Sequence, residues 1–101
     1  TSTMSEFLLN SELLDAKGKD FMQLVSNQRT YIDEMIMDGK VTSYAISIDR
    51  TKLWAVIVAQ SESDAVNIIA NFPIINFMQF EIHELLFHNS AQDLVSHISL
   101  N

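Results

Sequence analysis

Gln79, Glu81 and His83 stand as a polar series inside an apolar run, FPIINFMQFEIHELLFH over 72–88. They are spaced by two, so on an extended strand they share one face, with about 7 Å between successive α-carbons. Glu81 and His83 form the candidate catalytic pair. A carboxylate beside an imidazole in a partly dry pocket can relay a proton, because histidine changes charge near neutral pH and glutamate can be tuned toward it. The same row on an edge strand would only present polar groups to water. The sequence leaves both readings open.

Other residues could build a pocket around that pair. Asn10, Ser47 and Gln79 are candidates for its polar lining, and Tyr44 and Trp54, with Phe80, for an aromatic wall against a planar ligand. Single aromatics on strands are equally at home in a core. Arg29 could hold an anionic group through two parallel hydrogen bonds. With Asn27 and Gln28 beside it, it also fits a solvated helix face.

The remaining patterns exclude more than they offer. His83, His88 and His97 lack ligand-like spacing, so no metal site is expected. Gly18 and Gly39 are the only glycines, too few for a phosphate-cradling loop, and no nucleophile-elbow serine occurs. No cofactor is expected. A net charge of −7 disfavours nucleic acid and anionic membrane surfaces, which both require a basic footprint.

The elements that must position these residues follow from periodicity. At 101 residues the chain is read as a single domain spanning 1–101, and 48% apolar against 19% charged residues implies a packed core. Absence of cysteine fits a reducing compartment. No apolar run reaches the roughly 20 residues of a membrane span. The opening TSTMSEF has no secretion-signal pattern, so a soluble cytoplasmic protein is expected.

Residues 5 to 13 alternate as a strand, with Phe7, Leu9 and Leu13 on one face and Leu8, Asn10 and Glu12 on the other. Asp20 is placed as the N-cap of a long helix whose stripe runs Phe21, Leu24, Val25, Gln28, Tyr31, Ile32, Met35, Ile36. Gly39 suits the left-handed position just past its end. A second strand is expected over 41–49, then a turn at Asp49-Arg50-Thr51-Lys52, then the unbroken apolar strand LWAVIVA over 53–59. Ser61 or Ser63 opens a second helix with Ala65, Val66, Ile68, Ile69 and Phe72 on its apolar face, closed by Pro73. A fourth strand covers 77–86. Asn89 or Ser90 starts a short C-terminal helix carrying Leu94, Val95, Ile98 and Leu100.

The order β-α-β-β-α-β predicts an α+β, ferredoxin-like split βαβ fold with antiparallel strand order 4-1-3-2. Two helices cover one face of such a sheet. The LWAVIVA strand is apolar on both faces, so its second face needs a cover as well. The short C-terminal helix could cover part of it, and a second copy of the sheet would cover all of it, pairing two chains into a dimeric α+β barrel. A homodimer or higher homo-oligomer is therefore the expected partner state.

Several segments resemble the muconolactone delta-isomerase family, within the dimeric α+β barrel superfamily. They are Asp38-Gly39-Lys40 at the helix end, Phe72-Pro73 closing the second helix, Phe77-Met78, and Glu81-Ile82, in order within residues 20 to 88. The resemblance implies cofactor-free proton transfer that moves a double bond in an unsaturated lactone, in a cleft between paired subunits. Where the family has polar residues in its first strand this chain reads Phe7-Leu8-Leu9-Asn10-Ser11, and Glu81 carries over by position. The expected function is binding of a small apolar or aromatic-derived molecule in that cleft, with acid/base isomerisation by Glu81 and His83. The alternative is a non-catalytic oligomeric assembly or ligand-sensing module.

Overall fold

A computed structural model of the chain describes residues 4–87. The elements run β1 (Ser5–Leu13), α1 (Lys19–Met37), β2 (Val41–Ile46), β3 (Lys52–Ala59), α2 (Glu62–Ala70), a 3-10 turn (Ile75–Phe77) and β4 (Met78–Glu84). The four strands form one antiparallel sheet in the order β2-β3-β1-β4. This small α+β arrangement is compatible with a ferredoxin-like fold. The expected C-terminal helix lies outside the described residues, as do His88 and His97.

Alternation decides which face of each strand is dry. Phe7, Leu9, Ser11 and Leu13 of β1 are buried, as are Leu53, Ala55, Ile57 and Ala59 of β3. They pack with Phe21 and Ile32 of α1 and Ala65 and Ile69 of α2 in one core. Met78, Phe80 and Ile82 of β4 join from the same side. Phe72 fills the space between the helices and β2, its ring centroid 5.6 Å from Tyr31 and 6.5 Å from Tyr44 in edge-on geometry. The Tyr31 hydroxyl donates to the Ile68 carbonyl at 2.7 Å and so ties α1 to α2. Ser11 is the one buried polar residue of β1. Its hydroxyl lies 2.9 Å from the Glu12 carbonyl and 3.3 Å from that of Gln79, which satisfies it.

Several boundaries differ from expectation, each for a local reason. The N-cap of α1 is Gly18 without a side-chain hydrogen bond, and Asp20 sits in the first turn, where its charge favours the positive end of the helix. The helix end does follow the glycine: Gly39 has φ +75°, its N–H bonds to Ile36 and that of Lys40 to Met35, a Schellman closure. Helix α2 is capped by Ser61, whose hydroxyl accepts from the Asp64 N–H at 3.2 Å. It stops at Ala70, before Phe72, and Val66 faces outward at 37% exposure.

Strand β2 ends at Ile46 because Ser47 begins the turn. Ser47 and Thr51 hydroxyls both donate to Asp49 Oδ1 at 2.7 Å, and Arg50 takes the left-handed φ of 61°. Hydrogen bonds from the Ser47 and Thr51 side chains, then from the Thr51 and Asp49 backbone, hold the Asp49 carboxyl down to about 2 from its ordinary 3.8. Lys52, expected in the turn, is the first residue of β3.

Candidate functional site

The sheet face turned away from the helices carries the candidate pair. The register aligns Ala45, Trp54, Asn10 and Glu81 in one row across β2, β3, β1 and β4. The next row holds Ser43, Val56, Leu8 and His83. A third contains Lys52, Glu12 and Gln79. Strand pairing therefore places Asn10 directly opposite Glu81, a relation that neither residue's neighbours in sequence reveal.

The side chains meet as the register requires. Asn10 Nδ2 donates to Glu81 Oε1 at 3.3 Å, and His83 Nε2 lies 3.5 Å from the same oxygen. Glu81 Oε2 has no hydrogen bond among the described residues and remains available to a ligand. Glu81 is 63% and His83 58% exposed at the side chain, so both are open to solvent in a single chain. Asn10, Glu12, Lys52, Gln79 and Glu81 line a polar depression of about 390 Å³. The Lys52–Glu12 ion pair at its end, 3.1 Å long, is solvated and contributes little to stability.

The apolar part of this face lies beside that row. Trp54 is 40% exposed, and Leu8 and Val58 are half-buried. Val56 is buried although it lies on the side of β3 turned away from α1 and α2. A planar or aliphatic group could lie over Leu8 and Trp54 with its polar end at Glu81.

Two expected members of the pocket are elsewhere. Tyr44 pairs with Ala55 and packs toward the helices, where Gln28 Nε2 donates to its hydroxyl at 3.2 Å. Burial raises its phenol above 10.0, only partly opposed by that hydrogen bond. Ser47 is consumed by the β2–β3 turn. The aromatic wall does not form: Trp54 is on the open face, while Tyr44 and Phe80 pack against the core. Asn10, Trp54, Gln79, Glu81 and His83 thus share the open face, and Tyr44 is separated from them by the sheet.

Sequence reasoning missed the second concavity, a groove of about 350 Å³ between α1 and β2. Its floor includes Gln28, which is buried rather than solvated. Gln28 Oε1 accepts from the Ile74 N–H at 3.4 Å while its amide serves Tyr44. The position of Gln28 on the apolar stripe, among Leu24, Val25, Tyr31 and Ile32, was the available signal.

Among the described residues no cluster of three or more histidine, cysteine or carboxylate side chains could hold a metal ion. None of the described helices is long and apolar enough to cross a membrane. Compared with known proteins, the chain matches no protein-family model and no curated protein.

Proposed function

We propose that the chain is a self-associating small-molecule-binding domain of the muconolactone-isomerase-like kind, working through the helix-free face of its sheet. Two copies meet face to face as an α+β barrel. Leu8, Trp54 and Val58 leave water on association, and Glu81 and His83 come to lie in the enclosed cleft. The observation that carries this reading is the linked trio Asn10–Glu81–His83 beside exposed Trp54, on a face that no described helix covers.

The chemistry this trio favours is proton transfer without a cofactor. Asn10 fixes one carboxylate oxygen and leaves the other for substrate. Glu81 takes a proton from the carbon next to the carbonyl of an unsaturated lactone, and the electron pair shifts into the conjugated system. A proton then returns at the far carbon from His83 or from Glu81 itself, so the double bond moves and no atom is gained or lost. Drying of the cleft by the second copy strengthens these electrostatic contacts.

The test is an unsaturated five-membered lactone incubated with the protein in D2O and followed by proton NMR. Wild type is expected to exchange or shift the allylic proton, and Glu81→Gln to lose that activity. Sedimentation of the same samples is expected to give more than one 11.5 kDa chain per particle. A single-chain species without proton exchange would remove the proposal. The high exposure of Glu81 and His83 favours a second reading, a non-catalytic assembly face, for which the assembly persists and exchange is absent.

A further inference from the structure

The groove between α1 and β2 is a second concavity, separate from the open sheet face. It follows the helix from Phe21 to Ile36, which is about 22 Å of helix length. A neighbouring cavity of about 150 Å³ shares Phe21, Val25 and Ile46 with it and continues past Met22 to Arg50. The result is one long apolar trough. Its rims stay open: Met22, Ile36 and Ile46 are 45%, 46% and 41% exposed. A linear shape fits a linear occupant.

Charge distinguishes this trough from an ordinary helix–sheet crevice. The chain has two arginines against thirteen acidic residues, and both arginines, Arg29 and Arg50, line the trough. Neither is in an ion pair: the two pairs among the described residues are Lys52–Glu12 and His83–Glu81. Among the described residues Arg50 donates to the Met22 sulfur at 3.2 Å, and the nearby Asp49 carboxylate is occupied by Ser47 and Thr51. On the floor, Tyr44 accepts a hydrogen bond from buried Gln28, which leaves the phenol proton to be donated. An unpaired guanidinium presents donors in a fork that matches a carboxylate.

We infer that the α1–β2 trough binds a linear amphipathic carboxylate, its alkyl chain along Phe21, Val25, Ile32 and Ile46 and its head group on an arginine at the rim. Arg29, midway along the groove, is the head-group residue that the lining favours, with the Tyr44 hydroxyl as an additional donor. Asp33, one turn further on, also lines the groove and opposes an anion there. It sets an upper limit on affinity.

The experiment is NMR titration of the full chain with octanoate and, separately, with 1-octanol. Octanoate is expected to shift resonances of Val25, Ile32 and Ile46 and to bind at least about tenfold tighter than the alcohol, the ratio of one charge-assisted contact. Arg29→Gln should bring the two ligands to near parity. Asp33→Asn should tighten octanoate severalfold and leave 1-octanol unchanged, an outcome that a merely structural role for Asp33 would not produce. Equal binding of acid and alcohol by wild type overturns the inference. So do shifts confined to Leu8 and Trp54, which would place the ligand on the open sheet face. Trough shifts that follow protein concentration alone would also overturn it, because the occupant would then be a second copy.

Discussion

Gln28 in the middle of α1 donates a 3.2 Å hydrogen bond to the hydroxyl of Tyr44 on edge strand β2, and the same amide group accepts from the Ile74 N–H. One buried side chain thereby fixes an edge strand and the segment after α2 to the long helix. Gln28→Leu leaves both partners without it and is expected to cost about 1–3 kcal/mol. A double-mutant cycle with Tyr44→Phe, read by urea denaturation, should give a coupling of about 0.5–3 kcal/mol. Simple additivity would mean the contact contributes nothing.

Both tyrosines of the chain should ionise late. Burial raises Tyr31 and Tyr44 above 10.0, with the Glu34 carboxylate adding to the effect at Tyr31. The folded state favours the neutral phenols, so their contribution to stability is full below pH 10 and is lost as pH rises through the folded values. Absorbance near 295 nm should show no tyrosine titrating at the free value, and the melting temperature should fall in the same alkaline range. A half-titrated signal at pH 10 would contradict this.

Asp49 acts in the opposite direction. Its carboxyl is held at about 2 against an ordinary 3.8, so the contribution of the charged form is present above pH 4 and lost as pH falls through about 2. Melting curves of wild type and Asp49→Asn should differ most near neutrality and converge toward pH 2. The group is fully exposed and the effect correspondingly small. A constant difference across that range would show that the turn does not depend on the charge.

Glu81→Gln separates function from folding. Glu81 is 63% exposed and glutamine can still accept from Asn10, so the stability change should stay within about 0.5 kcal/mol. Loss of ligand binding at unchanged melting temperature is the expected pattern. A large drop in stability would make Glu81 a structural residue of β4.

Leu8→Lys addresses the face itself. Leu8 lies between Val56 and His83 in the strand rows, on the sheet face turned away from α1 and α2. A lysine there can extend into water in a single chain but not between two stacked sheets. Sedimentation equilibrium should show a smaller assembly than wild type, at nearly unchanged helix content by circular dichroism.

Local spacing in the sequence determined the order and type of the described elements and which residues of β1 and β4 share a face, while the core-facing side of the all-apolar β3 was left to the structure. Alternation put Phe7, Leu9 and Leu13 on one face of β1 and Asn10 on the other, glycine at 39 ended α1, and the α2 cap was narrowed to Ser61 or Ser63, because each depends on residues within a turn or two; the structure selects Ser61. The shared face of Gln79, Glu81 and His83 was legible for the same reason, since a strand repeats every two residues. What joins distant segments was decided by tertiary structure alone. The Asn10–Glu81 contact spans 71 positions and exists through the β1–β4 register, and Tyr44 left the expected pocket when β2 packed against α1. The arginine-lined trough likewise needed α1 and the β2–β3 turn brought together. Register and packing arise from the simultaneous burial of many side chains, and no short stretch of sequence contains that sum.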